Sequence, residues 1–599
     1  MKKFNLMLMM LVISLTVGGC GDSKKETDLT KPIITLIGAN PQTIERGNTY
    51  VELGATTDDS TTVMINSSAV DTTTVGSYTV SYTATDSSGN NAIGVTRVVN
   101  IVDTTAPVLQ LHIDQNRTII SKSRTYIISG IATDETGLKS VVVTKGTEEN
   151  LLDLEGENFT MELSLIAGEN EFIMTATDDS NNTTSIHFSI YLGHTVAAGG
   201  SHSGALKNNT LYVWGRNNYG QIGLGYTSKL DDNQDDDSNV THPDIPVRID
   251  TPSKFVALSF NQNYSLAIDE NGSVYSWGYN RYGELGRGNT LQECGSKNYS
   301  CGLTIEKINS LSNIVMIEAG YSHALALQSN GTLWSWGTNK NGELGTGDTN
   351  SSFNPVKVIF DTNDSINIVQ ISAGSDFSCV LDNNGQVWAW GKNNYSQIGQ
   401  GEKEDVDGNL IQIKDDQLTP IKIIMPENVK IISIATGKGH VLALGENNKV
   451  YGWGLNASSQ IGYYGYQFKG TDEAWERYIY APKTIIENNV IDNEPVVDVY
   501  ANGNSSYIVR QDTKIYPWGQ YGETLSNGKQ QYNNLDFPED KLPDITEIKD
   551  VSAGALHLVA VRKDDTVFTW RWSFEGSLGG GETTTDKWFY NYPILPSFE

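Results

Sequence analysis

Trp336-Gly337-Thr338-Asn339-Lys340-Asn341-Gly342-Glu343-Leu344-Gly345 is the stretch whose reading decides the fold. Near-copies begin at Trp214 (WGRNNYGQIG), Trp277 (WGYNRYGELG), Trp390 (WGKNNYSQIG) and Trp453 (WGLNASSQIG). Two worn copies follow, WGQYGETL from Trp518 and WRWSFEGSLG from Trp570. Consecutive Trp residues of the set stand 52–65 residues apart, and self-similarity at such a period marks a repeat architecture.

Each Trp ends a short pattern of aliphatic, aromatic, small, Trp, as in LWSW (333–336) and VWAW (387–390). Side chains alternate faces along a strand, so both faces of this one are apolar and both must be covered. Upstream lies a second pattern, Ala-Gly-x-x-His-x-x-Ala-Leu, clearest as AGYSHALAL from Ala319. Downstream comes a Pro-x-x-aliphatic segment such as Pro355-Val356-Lys357-Val358. Each unit thus offers about four short strands, one propeller blade, and the units give seven blades.

This combination resembles the regulator of chromosome condensation repeat family over residues 194–599. The resemblance implies a seven-bladed β-propeller. It leaves the use of that fold open, since one fold serves many functions. A secreted bacterial β-lactamase inhibitor shares this kind of propeller, so the resemblance also implies that protein binding outside the cytoplasm is within its range. The eukaryotic members' nucleotide exchange on a small GTPase is an alternative, but it needs access to the cytosol. The basic chromatin-binding tail of those members has no counterpart here.

The chain opens with Lys2 and Lys3, an apolar run from Leu6 to Val17, and Val17-Gly18-Gly19-Cys20. The run is short for a membrane span and reads as a signal peptide. Its end resembles a bacterial lipobox, which implies cleavage before Cys20 and lipidation, as by palmitate, of that residue. Gly21 after it favours the outer membrane if the source is a diderm. The expected organisation is signal peptide 1–19, tether 20–31, Ig-like domains at 32–103 and 104–193, and propeller 194–599. The first Ig-like domain rests on period-two runs such as Tyr78-Thr79-Val80-Ser81-Tyr82-Thr83-Ala84. It resembles the Ig-like domain of bacterial surface and pesticidal crystal proteins. The theme returns at Phe172-Ile173-Met174-Thr175-Ala176. The fold class is therefore all-β.

The formal charge is −29, from 71 acidic and 42 basic residues, which opposes a nucleic-acid partner. Of four cysteines, Cys294 and Cys301 bracket a short loop and read as a disulfide in an exported chain, while Cys379 lies in an apolar strand. The position three after each blade's Gly gives His202, Asn263, His323, Phe377, His440, Ser506 and His557. Positions set one per blade need not converge, so a hydrogen-bonding role is expected and an envelope hydrolase or lyase is the alternative. No catalytic residues and no metal ligands are assigned. Asp86, Asp103, Asp134 and Asp178, near the sandwich ends, are candidate calcium ligands.

Inserts differ between blades, and loops on a rigid scaffold are where binding is placed. The blade-five insert carries Tyr466, Phe468, Trp475, Tyr478 and Tyr480, residue types that dominate hot spots. The expected function is that of a lipid-anchored, non-enzymatic envelope protein whose propeller loops bind a protein or glycan partner.

Overall fold

The computed structural model describes residues 27–599 except 114–118, 209, 229–242, 289–291, 295–298, 363–364, 405–409, 463–477, 487–494, 512–513, 520–521, 525–529, 533–546, 556, 572–577, 579–589, 597 and 599. Those residues are almost wholly strands and turns, with one short 3-10 segment at Pro426–Asn428. The protein is all-β, with two Ig-like sandwich domains followed by a seven-bladed propeller. The chain divides into two compact units. One holds residues up to 107 with two turns, 133–139 and 177–184; the other holds the rest of the second sandwich and the propeller.

In the first unit, strand Gly76–Ala84 buries Val80, Tyr82 and Ala84 and turns its hydroxyl residues outward, as the period-two reading requires. Its centre is not the Cys–Trp core of antibody domains. Arg97 is fully buried there, donating from Nε to the Tyr82 hydroxyl at 2.8 Å and from Nη2 to the Ile37 carbonyl at 2.7 Å. A buried guanidinium is tolerated only when its donors are satisfied in this way.

In the second unit, strand Gly168–Asp178 buries Phe172, Met174 and Ala176 between a five-stranded and a four-stranded sheet. Blade three shows the propeller unit: Ile314–Ala319 innermost, then His323–Gln328, Leu333–Gly337 and Ser352–Lys357, all antiparallel. Blade two adds Gln292–Cys294, paired with Tyr299–Lys307, and Cys294 and Cys301 form a disulfide-bonded pair with Cα atoms 5.9 Å apart. Cys379 is free and buried.

Each position of the WGxNxxG(Q/E)(I/L)G motif has a physical task. The Trp rings at 214, 277, 336, 390, 453 and 518 are completely buried. Each indole N–H from Trp277 to Trp518 donates back to the preceding blade, to the carbonyls of Gln221, Glu284, Glu343, Gln397 and Gln460, at 2.8–3.0 Å. The motif Asn folds the loop: the Asn339 side-chain oxygen Oδ1 accepts from the Leu344 N–H at 2.8 Å. The acidic or amide residue turns back onto the same loop, Glu343 accepting from the Asn341 N–H at 2.8 Å. Trp570 lies on the strand Val567–Arg571 of blade seven.

Candidate functional site

The second sandwich occupies one end of the propeller, where the innermost strands begin. Arg124 N–H donates to the Val369 carbonyl at 2.9 Å, and the Tyr191 hydroxyl to the Val256 carbonyl at 2.5 Å. Lys122 reaches the axis: its Nζ lies 2.7 Å from Asp498, 2.6 Å from the Val499 carbonyl and 4.1 Å from the centre of the Tyr500 ring. Below it a cavity of about 120 Å³ runs between the innermost strands to the turns at Gly374 and Gly437. Its charged lining is Lys122, His194 and Glu318. His194 Nδ1 sits 2.8 Å from Asp550, and that carboxylate, working against the pull of burial, holds the imidazole above its usual range. Glu318 accepts from the Ser259 hydroxyl at 2.9 Å, and burial pushes its carboxyl up.

The four histidines do not gather at the axis. Each bonds to a serine of the next blade: His202 to Ser265 (2.9 Å), His323 to Ser378 (2.9 Å), His440 to Ser506 (2.8 Å) and His557 to Ser203 (2.6 Å). Ser265, Ser378 and Ser506 in turn donate to the carbonyls of Gln221, Glu343 and Gln460. The histidines of blades one, three and five therefore donate from Nε2. Burial lowers them to about 3 for His202 and His440 and about 4 for His323. A general acid or base needs a pKa near the working pH, so these rings are interblade latches.

The register corrects the reading of two blades. Tyr264 and Ser505, not Asn263 and Ser506, stand at the histidine position, opposite Gly278 and Gly519. In those blades Asn261 and Asn502 occupy the place of the Gly, and each donates its amide to the next blade, to the carbonyls of Ala319 (2.8 Å) and Ala553 (2.6 Å). The serine latch partners were legible as a Ser following the histidine position in each blade after a histidine-bearing one. The position expected from the sequence falls one residue early in blade two and one residue late in blade six, which hides this pattern.

The opposite end of the propeller carries the Gly-x-x-His turns and the WGxN loops, joined by pairs such as His323 with Gly337. Tyrosines and cations alternate there. Tyr219, Tyr279 and Tyr299 pack edge-on or tilted at 4.9–6.2 Å. Arg281 lies over Tyr282 (5.3 Å) and Tyr299 (4.9 Å), and Lys340 over Tyr282 (5.0 Å). Of the blade-five candidates, Tyr478 stacks on Tyr395 at 5.9 Å with Lys414 over its ring, and Lys414 also lies over Tyr480. Both are half-buried in this local packing. Tyr466, Phe468 and Trp475 lie outside the described residues, as does Cys20.

Within the first unit Asp103, Asp134 and Asp178 each bring a carboxylate oxygen within 4.8 Å of the others. Asp86 is not among them; it accepts from the Ser88 and Asn90 N–H groups and the Asn90 amide instead. The three acids suit calcium in kind but supply only part of its usual six to eight oxygens. The Asp178 carboxylate also already binds the Asn182 N–H and amide.

Residues 299–597 match the RCC1-like domain, and residues 208–268 and 255–284 match models of the regulator of chromosome condensation (RCC1) repeat. The propeller belongs to the regulator of chromosome condensation repeat family. Residues 34–101 match the Ig-like domain of bacterial surface proteins. The family propeller is 26% identical over 395 residues to the ultraviolet-B receptor UVR8 of Arabidopsis thaliana, covering 65% of this chain and 79% of that one. It is 25% identical over 422 residues to the guanine nucleotide exchange factor SRM1 of Saccharomyces cerevisiae, covering 63% of this chain and 80% of that one. Among solved structures, yeast RCC1 (Prp20) bound to Kap60 is similar in fold, with a TM-score of 0.50 at 24% identity over 65% of this chain and 83% of that one.

Proposed function

We propose that this chain is a lipid-anchored cell-envelope protein whose propeller binds an extracytoplasmic protein or glycan partner through the face opposite the second sandwich. One observation carries the reading: Lys122, Arg124 and Tyr191 tie the second sandwich to one propeller end, so that sandwich does not cover the turn-bearing end. That face holds tyrosines and cations, the residue types enriched in binding hot spots. The anchor rests on the Val17-Gly18-Gly19-Cys20 junction, and the outer membrane is its expected site in a diderm.

The test has two arms. Metabolic labelling with a palmitate analogue is expected to mark the wild type and not Cys20→Ser. Capture from an envelope extract with the mature full-length chain is expected to recover a partner that competes with an antibody against the turn-bearing face. Release of an unlabelled wild type would overturn the anchor; a partner held by residues 31–193 alone would move binding to the sandwiches. A second reading, nucleotide exchange, takes its support from the named activity of the yeast relative. Faster release of bound nucleotide from a loaded small GTPase in the presence of the mature chain would favour it.

A further inference from the structure

We propose that the turn-bearing face of blades one to five is a docking surface for an acidic polypeptide segment, with Arg281 and Lys340 at its centre. This rests on the reading that the propeller binds a partner through that face. The chain as a whole carries 71 acidic and 42 basic residues, so a surface with unpaired cations stands out from it. Around this face the described cations follow one another blade by blade: Arg216, Arg281, Lys340, Lys392 and Lys438. Asp376 answers Lys392 at 2.9 Å. Arg281, Lys340 and Lys438 are exposed and make no ion pair among the described residues. On an acidic protein an exposed cation has many acids to choose from, so keeping three of them apart leaves their charge for something else.

Two of the three are also held in place. Arg281 and Lys340, from neighbouring blades, share the Tyr282 ring, and Arg281 touches the Tyr299 ring as well. Seating a long cationic side chain on a ring removes rotamer freedom before a partner arrives, which lowers the cost of binding. The same seating argues against a neutral sugar, which needs an open ring face to lie on. Carboxylates presented along an extended or looped polypeptide match cations spaced one per blade. Tyr321, 45% exposed in the blade-three turn, adds an amphipathic contact beside them.

The test is fluorescence anisotropy with a labelled glutamate-rich peptide and the full mature chain, with labelled polygalacturonate as the second probe. Binding of the peptide is expected, weakening steeply with salt. The double variant Arg281→Glu/Lys340→Glu should weaken it by roughly tenfold or more. Tyr282→Phe should keep it, and Tyr282→Ala should weaken it although every charge remains. Lys139→Glu, on the other unit, should leave it unchanged. Absence of peptide binding at low salt, an unaffected double variant, or binding of polygalacturonate alone would each overturn the proposal. Should the captured envelope partner bind the double variant as well as wild type, the proposed function stands and this inference falls. Should nothing be captured while the peptide binds as described, the reverse holds.

Discussion

At the scale of single residues, the repeat reads as a set of steric and hydrogen-bonding demands. Gly320 is required because the His323 ring folds back over it: a Cβ there would lie 2.6 Å from the ring carbon Cε1 and 2.9 Å from the Gly374 carbonyl. Where the third residue on is Tyr264 or Ser505, an Asn replaces the Gly. Gly320→Ala should therefore destabilise the propeller by roughly 1–3 kcal/mol, the range for overpacking, read as a lower melting temperature. Glu and Gln exchange freely at the turn-back position because the site wants a neutral group. Burial pushes the Glu284 carboxyl up to about 8 from its ordinary 4.5. The folded state then holds a proton that the unfolded state has released, so stability falls as pH rises from about 4.5 to about 8. Glu284→Gln, the residue blades one, four and five already use, should raise stability at pH 8 by roughly 2–4 kcal/mol and leave it unchanged below pH 4. Melts of both proteins across that window check it.

At the scale of elements, blades are joined by rings and latches more than by strands. The motif residues Trp277, Trp336, Trp390, Trp453 and Trp518 each bond to the preceding blade's loop, and the His–Ser latches add a second tie at alternate junctions. His440 and Ser506 should accordingly show a favourable coupling of roughly 0.5–2 kcal/mol in a double-mutant cycle of His440→Ala and Ser506→Ala. A pair that merely packs side by side would show additive losses. The latches are placed by an alternation legible in the chain: a blade with His is followed by a blade with Ser. A single repeat does not show it, because each His needs a Ser that the next blade supplies.

At the scale of the whole molecule, seven is odd, so the alternation cannot close, and blade one carries both His202 and Ser203. Ser203 takes the latch from His557, and the Ala555 N–H donates to the Gly199 carbonyl at 3.2 Å; among the described residues no sheet takes strands from both ends of the propeller. Asp550 of blade seven, fully buried, accepts from the Thr195 N–H (2.6 Å), the Thr195 hydroxyl (2.9 Å) and His194. Phe598 packs edge-on against Tyr212 and Trp214 of blade one. Asp550→Ala strips these donors of their acceptor in a buried place and should cost roughly 2–4 kcal/mol. Because the His194 pKa is raised, its share is complete below the unfolded value and is lost as pH rises through the folded one. Thermal melts of wild type and Asp550→Ala should thus differ more at pH 5.5 than at pH 9.

The sequence by itself determined the blade count, the strand content and the buried Trp positions, because each rests on a period or an alternation that packing imposes locally and repeats. It also determined the two sandwiches, whose hydroxyl-rich faces leave a clear period of two. Only the tertiary structure decided which residues meet across the ring. Lys122 finds Asp498, Arg124 finds Val369, and Arg281 and Lys340 share Tyr282. These partners lie tens to hundreds of residues apart, and closing such distances is the work of the whole fold, so no local spacing records them.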